Sequence, residues 1–225
     1  MLAKIKNNIF PIIYLLWLIF TVLITFSVSK LSNDNITHIV ILIILVLSLF
    51  AFKLFKPKNP KRFFIISSVI LATLCEGAYM ISKPVRESLI ITKNSTFIEF
   101  IQNYAIDLTF TVPAYILIFF VIWKLINKYN YSTFEYIFLM AFGQALGDGN
   151  AFFFANPFML VFIPYIMLNY HAMNIFPYLK IRDFLKDIPK SNSKWKYPVT
   201  VLSLFVTYIF AGGIIHIVAK TIGLE

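Results

Sequence analysis

The chain has 225 residues, 60% of them hydrophobic and 13% charged, with a mean hydropathy of +0.81. A water-facing surface cannot be built from this composition, so soluble and disordered chains are excluded and a polytopic membrane protein is expected. Lys and Arg number 20 against 10 Asp and Glu, a net charge of +10. These cations sit in short clusters between apolar runs, the pattern of cytoplasmic loops rather than of a nucleic-acid groove, so no nucleic-acid partner is expected.

Seven stretches near the length of a membrane span carry few charges: 9–28, 38–55, 63–82, 104–123, 134–154, 157–179 and 197–219. They are too long for barrel strands, and backbone hydrogen bonding in lipid makes each a helix. The expected fold class is therefore all-α, a seven-helix membrane bundle forming one domain over 1–225. The first stretch follows Lys4 and Lys6 and precedes Ser27 and Ser29, so a cleaved signal peptide is an alternative; its apolar run exceeds the ~7–15 residues usual for a signal. The 155–157 turn, Ala155, Asn156 and Pro157, must join the fifth and sixth stretches almost directly.

With the N-terminus taken as inside, the cations of alternate connections divide fifteen to five. The inner fifteen are Lys4, Lys6, Lys53, Lys56, Lys58, Lys61, Arg62, Lys124, Lys128, Lys180, Arg182, Lys186, Lys190, Lys194 and Lys196. The outer five are Lys30, Lys83, Arg86, Lys93 and Lys220. This bias predicts an N-in, C-out topology, with anionic lipid headgroups meeting the basic inner loops, above all 180–196. Segment 83–103 is long and mixed in character and is expected along the outer interface. Its Asn94, Ser95, Thr96 triplet fits a glycosylation sequon, relevant only in a eukaryotic secretory membrane.

Ionisable groups inside membrane helices are costly and hence informative. Glu76, Asp107 and Asp148 fall in three different stretches. At ~1.5 Å per residue they lie about 9, 5 and 9 Å from the outer ends of their helices, one level in the outer third of the bundle. Each could equally be a buried carboxyl that ties two helices together. Gln144 precedes Asp148 by one turn and shares its face. Gly143 and Gly147 make a small-residue strip for close helix packing, within the bundle or in a homodimer. Asn169, Tyr170 and His171, with Asn174 beyond them, are candidate substrate contacts of the sixth stretch. Counted from Pro157, Asn169 lies about 18 Å along, past mid-membrane. His38, at a helix end, is expected to be solvated, as is His216. No second His or Cys sits at metal-binding spacing and Cys75 is alone, so neither metal, cofactor nor disulfide is expected.

Two carboxyls in a water-poor cavity can hold different protonation states and move a proton between two carbons of an apolar substrate. The 25 Phe, 12 Tyr and 3 Trp allow cation-π support of an intermediate carbocation, although most aromatics at this density face lipid or core.

The order of these marks resembles the emopamil-binding protein and its EXPERA-domain relatives, which include the sterol Δ8-Δ7 isomerase and sterol-binding proteins. Cys75, Glu76, Gly77 looks like the family's acid-glycine step. Asp107 followed by Pro113 stands where a second acid ahead of a proline is expected. Gly143, Gln144, Ala145, Leu146, Gly147, Asp148 is similar to the family's G-Q-x-x-G-D stretch, and Pro157, Tyr165, Asn169 and Pro177 follow like its last helix. The match covers 63–179 as a four-helix core, with 9–55 and 197–219 as additional helices.

The resemblance implies a membrane-embedded isomerase or binding protein for a sterol-like or polyprenoid lipid. Glu76 and Asp107 would donate and accept the proton, Asn169 would orient a polar group, and Gln144 and Asp148 would support. The isomerase carries a histidine where this chain has Ala72, a glutamate at Asp107 and a tryptophan at Ala172. Those departures keep open a non-enzymatic lipid or cation carrier. A remote alternative is an intramembrane diaspartyl protease using Asp107 and Asp148, whose G-x-G-D motif lacks its first glycine at Ala145.

Overall fold

The structure, a computed structural model, describes residues 2–50 and 57–223, with backbone alone for residues 2–8. Lys53 and Lys56 of the charge count, and the 51–55 end of the second stretch, lie outside the described residues. Among the described residues eight α-helices follow in order: α1 Leu2–Ser29, α2 Asn33–Phe50, α3 Pro60–Tyr79, α4 Phe97–Lys128, α5 Thr133–Asp148, α6 Asn150–Ala155, α7 Ile163–Ile181 and α8 Lys196–Thr221. Among the described residues six segments are long and apolar enough to cross a membrane, namely Ile9–Ser29, α2, α3, α4, Pro157–Ile181 and α8. The protein is an all-α, multi-pass integral membrane protein.

Local chemistry sets the helix boundaries. Asn59 caps α3 by accepting the Arg62 N–H at 3.0 Å, with Pro60 in the first turn where its missing N–H costs nothing. Thr96 with Glu99, and Ser132 with Glu135, form reciprocal capping boxes that start α4 and α5. The Thr96 cap places the start of α4 at Phe97, a full two turns before the expected 104.

The expected fifth span, 134–154, is divided at Gly149 into α5 and α6. The carbonyl of Gly147 there accepts the Asn150 side-chain amide at 2.6 Å, and backbone pairing resumes with Phe153 N–H to the Gly149 carbonyl at 3.0 Å. Asn156 then turns the chain, and Pro157–Phe162 forms a 3-10 turn before α7.

Packing places α7 at the centre, against α5, α3, α2 and α1. A ring runs from α4 through α3, α7 and α5 to α8, which returns to α4. So α8, which lies outside the stretch that carries the family resemblance, is a wall of the bundle. The Gly143 and Gly147 strip is what lets it close in. A Cβ on Gly143 would lie 3.1 Å from Leu204 Cβ, and one on Gly147 only 2.6 Å from Tyr208 Cβ. The strip is thereby covered by α8 of the same chain. α1 is the most peripheral helix, held to the centre by Tyr14 and His171 (Oη to Nε2, 2.5 Å) and by Trp17, whose indole N–H donates to the Val161 carbonyl at 2.7 Å.

The end of the bundle that the charge bias makes the inner one is closed by Lys196, whose Nζ donates to the Asn130 carbonyl and lies 2.8 Å from both oxygens of Glu135. At the opposite end, the outer one in that reading, Thr37 of α2 donates to the Ala78 carbonyl of α3 at 3.0 Å and Asn33 donates to the Ile81 carbonyl at 2.8 Å.

Candidate functional site

At the outer end the helices diverge around a cavity of about 1000 Å³. Its lining carries Glu76, Asp148 and Asn169, together with Asp34, Lys83 and Arg86 and the tyrosines Tyr79, Tyr115, Tyr165 and Tyr208. Each acid arrives at a helix terminus. Glu76 stands in the last turn of α3, on a face whose preceding residues Ala72 and Cys75 are fully buried. Asp148 is the last residue of α5, released toward the cavity by the break at Gly149.

Both carboxyls are held by a phenol from the neighbouring helix. Tyr115 of α4 donates a short hydrogen bond to Glu76 Oε1. Tyr170 of α7 donates to Asp148 Oδ2 at 2.7 Å. Glu76 is buried, whereas Asp148 is exposed at the cavity wall. Glu76 lies within electrostatic range of both Asp148 and Asp107, and Lys83 supplies a counter-charge to Asp148.

Asn169 lies six residues into α7, which begins after the 3-10 turn Pro157–Phe162, and it lines the same cavity as Glu76 and Asp148. Its Oδ1 is buried without a hydrogen-bond partner among the described residues.

The other expected site residues stand outside the lining. Gln144 is fully buried behind Asp148; its amide donates to the Met140 carbonyl at 2.9 Å and accepts from Tyr208 of α8 at 3.4 Å. Tyr170 backs Asp148. Asp107 is fully buried, and its Oδ1 accepts the Val85 backbone N–H at 2.7 Å, which fastens the connection after α3 over the cavity. His171 points to the opposite side of α7, toward Tyr14 of α1. His216 is on an exposed face of α8.

His38, expected in solvent, is buried: its ring stacks on Tyr165 at 3.8 Å, Nδ1 pairs with the Asp34 carbonyl at 2.8 Å, and the residue lines the cavity. The tyrosine that covers it is itself anchored, with its hydroxyl donating to Asn35 Oδ1 at 2.7 Å. Sequence reasoning also passed over Tyr115 and Tyr208. Nothing in a single aromatic-rich chain marks which phenols face an acid, since that depends on the rotation of α4 and α8.

No family model, curated protein or solved structure matches the chain.

Proposed function

We propose that this protein binds a sterol-like or polyprenoid lipid within the membrane and shifts a double bond on it by proton transfer. The observation that carries the reading is the convergence of Glu76 and Asp148 on one cavity, each held by a phenol from a different helix. A protonated carboxyl delivers its proton to one alkene carbon, which leaves the cation on the other, and the second carboxylate removes a proton from the saturated carbon beyond that cation, so the double bond moves by one position. Atoms and charge balance without an oxidant. Tyr79, Tyr115 and Tyr208 on the same wall provide aromatic faces for the cationic intermediate. Asp107 serves as a positioning residue, because its Oδ1 is engaged by Val85. This is a change of partner from the pair that the EXPERA resemblance implies. The same engagement argues against Asp107 and Asp148 as a diaspartyl pair.

The second reading, a lipid or cation carrier, is favoured by Ala72, which is fully buried one turn before Glu76 and offers no group to share a proton. Deuterium incorporation separates the two. Lipid co-purified in mild detergent is incubated with the protein in D2O and followed by mass spectrometry. Turnover by the wild type, lost in Glu76→Gln and in Asp148→Asn, supports the isomerase. A specific lipid retained without deuterium by the wild type assigns the carrier.

A further inference from the structure

The cavity has a roof and a side, and they are built differently. The roof is the connection after α3, whose residues Lys83, Pro84, Val85 and Arg86 line the cavity. It is fastened to α4 by Val85 on Asp107 at 2.7 Å, while the exposed Lys83–Asp34 ion pair of 3.5 Å adds little. Just before it, the Ile81 carbonyl accepts from Asn33 of α2 at 2.8 Å.

The side lies between the outer ends of α1 and α8. Val28 lines it from α1 at 77% exposure, and Gly212 and Gly213 line it from α8. A Cβ built on either glycine meets nothing within 4 Å. α1 packs on α7 and α2, while α8 packs on α5 and α4, so the two face each other across the gap. The outer hydrogen bonds of α1, Thr25 to the Thr21 carbonyl and Ser27 to the Ile24 carbonyl, stay within that helix. Both helices are largely unburied by the rest of the protein.

We infer that the cavity is loaded sideways from the bilayer, through a portal bounded by Val28 and by Gly212 and Gly213, while the fastened roof keeps the aqueous side shut. The ligand is then a membrane-resident amphiphile. Its polar end turns inward to Glu76, Asp148 and Asn169, and its hydrocarbon remains against α1 and α8. The inference rests on the reading of the cavity as a lipid site but requires no chemistry there.

The test uses Ala114→Cys, a position on α4 that lines the cavity, with the protein in phosphatidylcholine nanodiscs. Labelling by N-dodecylmaleimide, delivered through the bilayer, is compared with labelling by a sulfonated, water-borne maleimide, and peptide mass spectrometry reads Cys75 separately. Gly213→Trp is expected to slow the dodecyl reagent by about tenfold or more, equivalent to at least ~1.4 kcal/mol of access barrier, and to leave the sulfonated reagent unchanged. Should Gly213→Trp fail to elute as folded protein, Val28→Trp on the facing wall carries the same expectation. Dodecyl labelling that ignores both tryptophans, or that accelerates only when the roof is loosened by Asp107→Leu, overturns the portal. Labelling is independent of turnover, so loss of the portal leaves the proton-transfer reading intact, and absence of deuterium exchange leaves the portal intact.

Discussion

Val85 donates its backbone N–H to Asp107 Oδ1 at 2.7 Å, across 22 residues of sequence. The bond converts a membrane carboxyl, which would ordinarily be read as chemistry, into a fastener for the segment above the cavity. Asp107→Leu removes the acceptor and leaves a part-buried donor without its partner, a loss of about 1–3 kcal/mol. Faster hydrogen exchange across 83–92 is expected in nanodiscs. Asp107→Asn keeps an oxygen in place and should exchange like wild type. Equal protection in Asp107→Leu would remove the roof role.

The contact between α5 and α8 gives a graded series at three glycines. Gly147→Ala sets a Cβ 2.6 Å from Tyr208 Cβ and 3.2 Å from the Phe205 backbone, which cannot yield, so a loss of about 1–3 kcal/mol is expected. Gly143→Ala meets Leu204 at 3.1 Å and should lose less. Gly212→Ala meets nothing within 4 Å and should gain up to about 1 kcal/mol from helix propensity. Thermal unfolding in one detergent orders the three, and an inverted order would show that α8 does not sit on the strip.

At the inner end, Lys196 is nearly buried between Glu135 and the Asn130 carbonyl, with Tyr197 donating to the other side of the same carboxylate at 2.6 Å. Lys196→Met keeps the aliphatic stem but strands a partly buried acid and a carbonyl, and should lower stability by about 2 kcal/mol. Lys186, which pairs with the exposed Asp183, is the control, since exposed pairs contribute ~0–1 kcal/mol. Melting temperatures of Lys196→Met and Lys186→Met give the comparison, and similar values for both would place the Glu135 pair among the inconsequential ones.

Tyr115 and Tyr170 make an internal test of the carboxyl assignments. Tyr170→Phe should shift the infrared carboxyl band that Asp148→Asn deletes and leave the one that Glu76→Gln deletes. Tyr115→Phe should do the reverse. A common shift in both variants would show that the acids respond as one unit through the bundle.

The helices were largely legible because lipid leaves the backbone no alternative: the apolar runs become helices, and the T-x-x-E and S-x-x-E caps at Thr96 and Ser132 were present to be read. Counting residues from Pro157 gave Asn169 a depth along its helix but not its place in the cavity wall, which depends on how α7 is turned between α3 and α5. The acids could be found by their cost in lipid. Which of them faces the cavity could not, because that turns on where the connection after α3 finds a hydrogen-bond acceptor. His38 eluded the same reasoning for the same cause, since its burial is produced by Tyr165, which is 127 residues away in the chain.

The peripheral seat of α1 has a consequence for biogenesis. Tyr14 pairs with His171 across 157 residues, and Trp17 with Val161 across 144. At synthesis rates of about 5–20 residues per second, α1 waits roughly 10–30 s for these partners to be made. During that interval its neighbours are lipid and α2, and the α1 wall of the portal is not yet fixed against α7. An agent that grips α1 in that interval would hold the portal wall away from the cavity before it closes.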